Sequence, residues 1–151
     1  MNAHAFSVRH SRPTDTDTLY SVWRRSVEAT HEFVAPADLE AMAEIVRTRY
    51  LPVTTFMVAV DATDTPIAFM GGDDDTIDSL FVDPDWHRRG VGRALVDLAI
   101  ERAPVIRLDV NEQNDGARAF YRRMGFAEVG RSEDDEDGFP YPLLHLERRR
   151  A

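Results

Sequence analysis

The sequence predicts a single α/β domain over residues 1–151, with a twisted, mixed and mostly antiparallel sheet of about seven strands flanked by about four helices. Three observations lead to this fold class. Strand-like and helix-like segments alternate in the order βααβββαβαββ, without a linker or an internal repeat. The length suits one buried core and is too short for two ordinary domains. A strand, a crossover helix and a further strand between residues 76 and 110 predict one parallel pairing.

The first half of the chain predicts one strand, two helices and a meander of three strands. The strand AFSVRHSR ends at Pro13, and the helix after it carries an apolar stripe of Leu19, Val22, Trp23 and Val27. The second helix, PADLEAMAEIVRTRYLP, begins with a proline, which suits the first helical position, and ends before the next proline. The runs TFMVAV, PIAFMGG and TIDSLFV are separated by polar clusters and predict antiparallel strands.

The second half predicts two helices and three strands. The helix GRALVDLAIERA precedes the strand VIRLDV. The helix NDGARAFYRRM follows, with Asn114 as its N-cap and Gly125 as its stop signal. The runs FAEVGRS and YPLLHL predict the last two strands, and the acidic run EDDEDG lies between them.

Composition excludes several classes of chemistry. The chain has no cysteine and therefore no disulfide, no thiolate metal site and no cysteine nucleophile. Its 18 basic residues are all arginine, which excludes Schiff-base catalysis by lysine and a P-loop lysine. The net charge of −9 disfavours nucleic acid as a partner. His4, His10 and His145 have no partners at metal-ligand spacing, so we expect no metal site.

The chain also lacks the signals of a membrane or exported protein. It has no apolar run of about 18 residues that would span a bilayer. The first residues, MNAHAFSVRH, contain no apolar core of a signal peptide. We therefore expect a cytoplasmic protein without a membrane partner. The sequence leaves the oligomeric state open, and a homodimer is compatible with it.

The stretch DPDWHRRGVGRALVDLAI predicts a site for an oxyanion. Gly90 and Gly92 allow a tight turn with inward N–H groups, and the helix that begins near Gly92 adds the positive end of its dipole. Arg88, Arg89 and Arg93 supply charged donors that match a diphosphate better than a carboxylate. The alternative is a glycine turn with solvated arginines. A dinucleotide-binding fold is disfavoured, because the third glycine is missing and DPDWHRR separates the glycines from the strand.

This loop and a later segment together resemble the GNAT superfamily of N-acetyltransferases. In that family a Gln/Arg-x-x-Gly-x-Gly/Ala loop binds the pyrophosphate of acetyl-CoA, and an Asn-x-x-Ala-x-x-Phe-Tyr-x-x-x-Gly-Phe helix follows the next strand. The segments LFVDPDWHRRGVGRAL and NDGARAFYRRMGF match these patterns, and the element order agrees over nearly the whole chain. His87 departs from the pattern at the Gln/Arg position. The resemblance implies a GNAT fold and an acetyl-CoA-dependent N-acetyltransferase.

The resemblance also implies the roles of individual residues. Acetyl-CoA is the implied cosubstrate, and a primary amine of a small molecule or peptide attacks it directly in a ternary complex. Tyr121 takes the position of the family's tyrosine, which gives a proton to the leaving thiolate. The helical spacing of Phe120 and Tyr121 with their neighbours also allows a packing stripe. The residues implied to bind the cofactor lie on one strand, in the loop and on the later helix: Leu80, Phe81, Val82, His87, Arg88, Arg89, Gly90, Val91, Gly92, Arg93, Ala94, Asn114, Ala117, Phe120, Tyr121 and Arg123.

Four polar residues are candidates for the acceptor side of the site. Asp78 is a carboxylate in an otherwise apolar strand and a candidate base, although a solvated strand-end carboxylate is equally compatible with the pattern. His31 has a suitable ordinary pKa and comes from the region that closes over the acceptor in the family. Asn111 is a candidate to hold a water between a base and the amine. Tyr141 is a candidate to face the acceptor from the last strands.

The acidic runs DDD and EDDED predict solvated loops or a surface that attracts a cationic acceptor. The resemblance places the second run beside the acceptor channel, which favours an amine-bearing small molecule or peptide. The acceptor itself is not identified by the sequence. A second function class stays open, namely a CoA-binding domain that senses acetyl-CoA without turnover. The tyrosine and the polar candidates favour the enzyme.

Overall fold

A computed structural model describes residues 5–150, and its elements follow the predicted order. Within these residues there are eight strands, β1 Ser7–His10, β2 Met57–Val60, β3 Pro66–Gly71, β4 Thr76–Ile77, β5 Ser79–Val82, β6 Val105–Asn111, β7 Ala127–Ser132 and β8 Leu143–Arg149. The same part of the chain contains four α-helices, α1 Thr16–Thr30, α2 Pro36–Ile45, α3 Val91–Arg102 and α4 Asp115–Arg123. None of the helices in this part of the chain is long and apolar enough to cross a bilayer.

The helix signals in the sequence are confirmed at several positions. The predicted stripe of α1 is buried against the sheet. Pro36 is the first residue of α2, where its missing N–H costs no helical hydrogen bond. Asn114 caps α4, because its Oδ1 accepts from the Ala117 N–H at 3.1 Å. Gly125 ends that helix with a φ of +93°, a conformation that favours glycine.

The second helix is shorter than predicted. α2 ends at Ile45, and a wider π turn over Val46–Tyr50 and a 3-10 turn over Leu51–Val53 replace its last residues. Pro52 supplies no N–H to a regular helix at this point. The ring of Tyr50 packs edge-on against Phe56, with ring centroids 5.2 Å apart. The irregular turns therefore carry Tyr50 back onto the sheet.

The strands form two four-stranded hydrogen-bonded sheets, where one central sheet was predicted. The first has the order β1-β2-β3-β5 and is antiparallel throughout, which confirms the meander. The second has the order β4-β6-β8-β7, with β4 parallel to β6 as the crossover helix predicted. The division arises at Asp78, which splits the predicted strand TIDSLFV into β4 and β5. The two sheets diverge where these strands part.

The helices cover both faces of the first sheet but only one face of the second sheet, whose other face is polar. The buried residues of α3 and α4 pack on a shared face of both sheets. The buried residues of α1 and α2 pack on the opposite face of the first sheet. On the corresponding face of the second sheet, β6 and β8 present a row of polar side chains, Arg107, Asp109, Asn111, His145 and Glu147. This row is called the polar face below.

Candidate active site

A cleft of about 110 Å³ opens where the two sheets diverge. Its walls come from the end of α1, from β4 and β5, from β6, and from the start of α4. The lining includes three of the four acceptor-side candidates together with Tyr121. The lining residues are His31, Ile77, Asp78, Ser79, Leu80, Phe81, Leu108, Asp109, Val110, Asn111, Asn114, Ala117 and Tyr121.

A β-bulge at Asp78 and Ser79 shapes the first wall of the cleft. Ser79 is the register partner of Gly71, and the Asp78 N–H also donates to the Gly71 carbonyl at 2.8 Å. Ser79 Oγ accepts from the Gly71 N–H at 3.0 Å and shares a hydrogen bond of 2.6 Å with the Tyr50 hydroxyl. Burial raises the pKa of Tyr50 to about 12, so its hydroxyl stays protonated at neutral pH. The bulge is therefore braced by side chains from two other elements.

Gly71 has no room for a side chain, which gives a test of this brace. A Cβ on Gly71 would lie 2.4 Å from Tyr50 Oη and 2.8 Å from Ser79 Oγ. We expect Gly71→Ala to destabilise the fold by about 1–3 kcal/mol. Thermal unfolding should then shift down by roughly 2–4 °C for each kcal/mol. Gly116→Ala is the matched control, because the nearest atom to a Cβ at that position is 3.9 Å away. An unchanged melting temperature for Gly71→Ala would contradict the brace.

The edge of β5 that faces the cleft offers backbone hydrogen-bonding groups. The Asp83 N–H donates to the Ile67 carbonyl on β3 at 2.8 Å. By strand alternation, the backbone groups of Leu80 and Val82 point to the opposite edge. His87 donates from Nε2 to the Val82 carbonyl at 3.0 Å, so this side chain braces the strand end. The remaining groups of Leu80 and Val82 are positioned to pair with an extended ligand.

The loop before α3 presents an uncapped helix N-terminus. Gly90 is the N-cap residue with a φ of +82°, and no side chain caps the helix. The Ala94 N–H donates to the Gly90 carbonyl at 3.0 Å, so this amide already has a partner within the helix. The amides of Val91, Gly92 and Arg93 belong to the first turn and have no partner within the helix. This arrangement suits an anion.

The arginines of this loop and of the first turn of α3, and Arg123 on α4, are not neutralised by carboxylates. No ion pair in residues 5–150 includes Arg88, Arg89, Arg93 or Arg123, whereas nine other arginines form such pairs. Arg88 has a φ of +63°, a strained conformation for a residue with a side chain. Arg89 stacks over the Trp86 ring at 5.0 Å. The loop therefore carries uncompensated positive charge.

Tyr121 lies on α4 with its hydroxyl open to the cleft. Its ring packs edge-on against Phe120 and Phe126 at 5.1 and 5.6 Å. The hydroxyl makes no hydrogen bond in residues 5–150, yet the single buried side-chain atom there without a partner is Arg118 Nε. The Tyr121 oxygen is therefore reached through the cleft that its residue lines. Burial of the residue raises the pKa of Tyr121, so the phenol remains protonated at neutral pH.

Phe120 lies on the side of the same helix that faces the start of α3. If Gly92 carried a Cβ, that atom would lie 3.6 Å from the Phe120 ring and 3.8 Å from a Val82 methyl group. Phe120 thus packs between the start of α3 and the end of β5. Arg123 is exposed at the end of α4.

The acceptor-side candidates differ in their surroundings. His31 caps the end of α1, and burial lowers its pKa to about 4. Its Nδ1 is 2.7 Å from the Thr30 hydroxyl. Asp78 is exposed at the bulge, and Asn111 ends β6 beside the cleft. The sequence alone could not predict the low pKa of His31, because it results from burial.

Tyr141 is not among the residues that line the cleft. Its hydroxyl donates to an Asp38 carboxylate oxygen at 2.6 Å and accepts from the Ala35 N–H at 2.9 Å. The bond to Asp38 raises the pKa of Tyr141. The side chain ties the start of α2 to the segment before β8. That Tyr141 faces the acceptor stays a prediction.

Asp109 and His145 are polar residues of the site region that the sequence analysis missed. Asp109 lines the cleft and is hydrogen-bonded to His145, its partner on β8. One signal was present, because the alternation in VIRLDVN places Asp109 on the same face as Asn111. The His145 partnership was not visible, since it depends on strand register.

The acidic loop between β7 and β8 lies near the same cleft. The pKa of Glu136 is raised by its loss of solvent and by the carboxylates of Asp109 and Asp78. An effect of this kind requires these three groups to be close in space. Glu136 of the acidic run EDDED therefore adds negative charge near Asp78 and Asp109.

Comparisons with known proteins agree with this geometry. A family model described as an acetyltransferase (GNAT) domain matches residues 21–144. Two curated proteins, the peptidyl-lysine N-acetyltransferases YjaB of Salmonella typhimurium and of Escherichia coli K12, are each 44% identical over 140 residues. These alignments cover 93% of this chain and 96% and 95% of the two relatives.

Solved structures show the same fold. The solution structure of apo YjaB from Escherichia coli has a TM-score of 0.91 and 42% identity, over 97% of this chain and 99% of that one. An N-acetyltransferase from Thermoplasma acidophilum, crystallised with coenzyme A, has a TM-score of 0.76 and 18% identity, over 96% of this chain and 99% of that one. The second likeness extends to the fold alone.

Proposed function

The chain belongs to the GNAT family of acetyltransferases, and from this membership we propose that it acetylates lysine side chains of peptides or proteins with acetyl-CoA. It is an acetyl-CoA-dependent N-acetyltransferase. The observation that carries the proposal is the juxtaposition of an uncapped, arginine-rich helix N-terminus with a cleft that contains a free tyrosine hydroxyl. Relatives that cover nearly the whole chain are named peptidyl-lysine N-acetyltransferases, which supports lysine as the acceptor.

The cofactor side supports binding of acetyl-CoA along β5 and at the start of α3. The free amides of Val91, Gly92 and Arg93 suit the diphosphate, and the unpaired arginines of the loop add charge. The free edge of Leu80 and Val82 suits the amide-containing arm of the cofactor. Bound acetyl-CoA supplies the reactive thioester. The residues of this chain orient it and direct it toward Tyr121.

The reaction needs a neutral amine and a proton for the departing sulfur. A lysine ammonium with an ordinary pKa of ~10.4 costs about 4–5 kcal/mol to deprotonate at pH 7. The Tyr121 hydroxyl is protonated and open to the cleft, which supports its role as the donor of a proton to sulfur. With a pKa of about 4, His31 retains a proton too weakly to serve as an effective base and suits a hydrogen bond to the acceptor. Asp78 and Asn111 remain predicted acceptor-side residues.

The charge of the acceptor side supports a cationic substrate. Asp78 and Asp109 line the cleft and Glu136 interacts with both, whereas the unpaired arginines lie in the loop before α3. Opposite charges on the two sides favour an ammonium at one and a diphosphate at the other. The net charge of −9 adds a general attraction for basic peptides.

Acetylation of an amine panel tests this function. CoA release from acetyl-CoA should be fastest with a peptide that has an internal lysine and a blocked N-terminus, and slower with polyamines, free amino acids and aminoglycosides. Mass spectrometry should locate one acetyl group on the lysine. In a parallel thermal assay, acetyl-CoA at 100 times its dissociation constant should stabilise the fold by about 2.7 kcal/mol, and NAD or ATP much less. Equal protection by NAD, or acetylation only of α-amines, would contradict the proposal.

A further inference from the structure

Three polar side chains form a hydrogen-bonded chain on the polar face of the second sheet. Asp109 on β6 is the register partner of His145 on β8, and Ser132 ends the neighbouring strand β7. His145 Nδ1 is 2.5 Å from Asp109 Oδ1, and His145 Nε2 is 2.7 Å from Ser132 Oγ. Gly130 leaves space for the ring, since a Cβ there would lie 3.1 Å from His145 Cδ2. The imidazole is therefore held at both nitrogens.

Asp109 and Ser132 determine which nitrogen of a neutral His145 ring carries the hydrogen. An ionised carboxylate only accepts hydrogen bonds, so Nδ1 of His145 carries the hydrogen and donates to Asp109. Nε2 then has a free lone pair and accepts from the Ser132 hydroxyl. An aspartate and a histidine joined in this way hold each other in one orientation. Ser132 and His145 thus fix the direction of the Asp109 carboxylate.

The Asp109 carboxylate lines the cleft that holds the Tyr121 hydroxyl. Its Oδ1 is bound to His145, and its Oδ2 makes no hydrogen bond in residues 5–150. Asp78 is the other carboxylate in the lining, and its side chain has no oriented partner in that range. We propose that Asp109 accepts the proton that the acceptor's ammonium loses, with His145 and Ser132 as its positioning residues. This inference rests on the proposed function.

Acetyl transfer requires the acceptor's ammonium nitrogen to lose two protons. One N–H bond of the ammonium breaks as an O–H bond forms at Asp109 Oδ2, which frees the lone pair. The C–N bond then forms and the C–S bond breaks. The second proton of the nitrogen replaces the one that Tyr121 gives to sulfur, and Asp109 returns its proton to water. Asp109 and Tyr121 therefore serve opposite ends of the same reaction.

The charged groups around Asp109 are consistent with a proton acceptor at this position. Glu136 on the β7–β8 loop interacts with Asp109 and with Asp78 at the bulge, and both carboxylates raise the pKa of Glu136. Their negative charge attracts an ammonium group. The ionisable groups that line the cleft with Asp109 or lie next to it on the polar face are His31, Asp78, Arg107, Tyr121, Glu136, His145 and Glu147.

Steady-state kinetics of Asp109→Asn test the proposal. We expect kcat/KM for a lysine peptide to fall about 10²-fold at pH 7. The deficit should shrink as the pH rises toward ~10.4, because solvent then deprotonates the lysine. It should also be smaller for an α-amine acceptor, whose ordinary pKa is ~7.7–8.0. Glu147→Gln is the matched control, since it makes the same chemical change on the polar face at a residue paired with Arg107 and Arg149, and wild-type kinetics are expected.

Two substitutions of the histidine separate positioning from packing. His145→Asn places an amide N–H near the position of Nδ1, so it should keep the bond to Asp109 and most of the activity. His145→Ala removes both hydrogen bonds and should lose about 10-fold or more in kcat/KM, with the same dependence on pH and acceptor as Asp109→Asn. Ser132→Ala should lie between wild type and His145→Ala.

The outcomes distinguish this inference from the function on which it rests. Wild-type kinetics for Asp109→Asn, or an equal loss at every pH and with both acceptors, overturn the role of Asp109 while lysine acetylation by the wild type stands. A wild type that binds acetyl-CoA but acetylates no amine overturns the proposed function and this inference with it. A loss in Asp109→Asn that shrinks at high pH, together with activity in His145→Asn, supports the proposal.

Discussion

Replacing Tyr121 with phenylalanine is expected to lower kcat about 10²-fold while CoA affinity and the melting temperature stay near wild type. The substitution removes one oxygen and keeps the ring that packs against Phe120 and Phe126. The lost hydroxyl has no partner in residues 5–150, so its removal breaks no structural hydrogen bond. General acid catalysis typically contributes ~10²–10⁴-fold, and a thiolate is a tolerable leaving group, which favours the lower end.

The pH dependence of wild-type kcat provides a second test of Tyr121. Burial raises its pKa above the ordinary value of ~10, so the acid form is retained through that pH and is lost only above it. We therefore expect no alkaline decline from this group below about pH 10. Tyr20→Phe, on the first helix, is a matched control that should keep wild-type kcat. If Tyr121→Phe kept wild-type kcat when chemistry limits the rate, Tyr121 would be a packing residue.

Gly92→Asp is expected to abolish most CoA binding without unfolding the protein. Gly92 is the second residue of α3, in the uncapped first turn that we propose binds the diphosphate. A carboxylate about 5 Å from a phosphate charge costs roughly 3 kcal/mol at an effective dielectric constant of 20, which weakens binding by about 10²-fold. The same charge near a helix N-terminus favours the helix by about 0.3–1 kcal/mol. The melting temperature of the free protein should therefore hold or rise while stabilisation by CoA is lost.

Gly92→Asn separates charge from size in this test. Asparagine is nearly isosteric with aspartate and carries no charge, and a Cβ at this position meets the Phe120 ring at an ordinary 3.6 Å. We expect Gly92→Asn to weaken CoA binding much less than Gly92→Asp, as measured by titration calorimetry. Unaltered CoA affinity in folded Gly92→Asp would remove the diphosphate from the start of α3.

Local patterns accounted for most of the fold. The stripe of α1, the cap at Asn114 and the stop at Gly125 depend on residues within a few positions of one another, so the chain displays them directly. The meander and the parallel pairing followed from element order and connection length. The irregular end of α2 was not predicted, because the position of Tyr50 is set by contacts with Phe56 and Ser79 elsewhere in the chain.

The sequence by itself determined the family and located the glycine- and arginine-rich loop before α3, because the loop and the Asn-to-Phe motif are each contiguous in the chain. Only the tertiary structure decided what surrounds the acceptor. Asp109 meets His145 across 36 positions of the chain, and His145 meets Ser132 across 13. Strand register creates these contacts, and a shift of one residue would turn each side chain to the other face. The contacts of Tyr141 were also decided by the tertiary structure, because its hydroxyl binds Ala35 and Asp38 at the start of α2, at least 103 positions away in the chain.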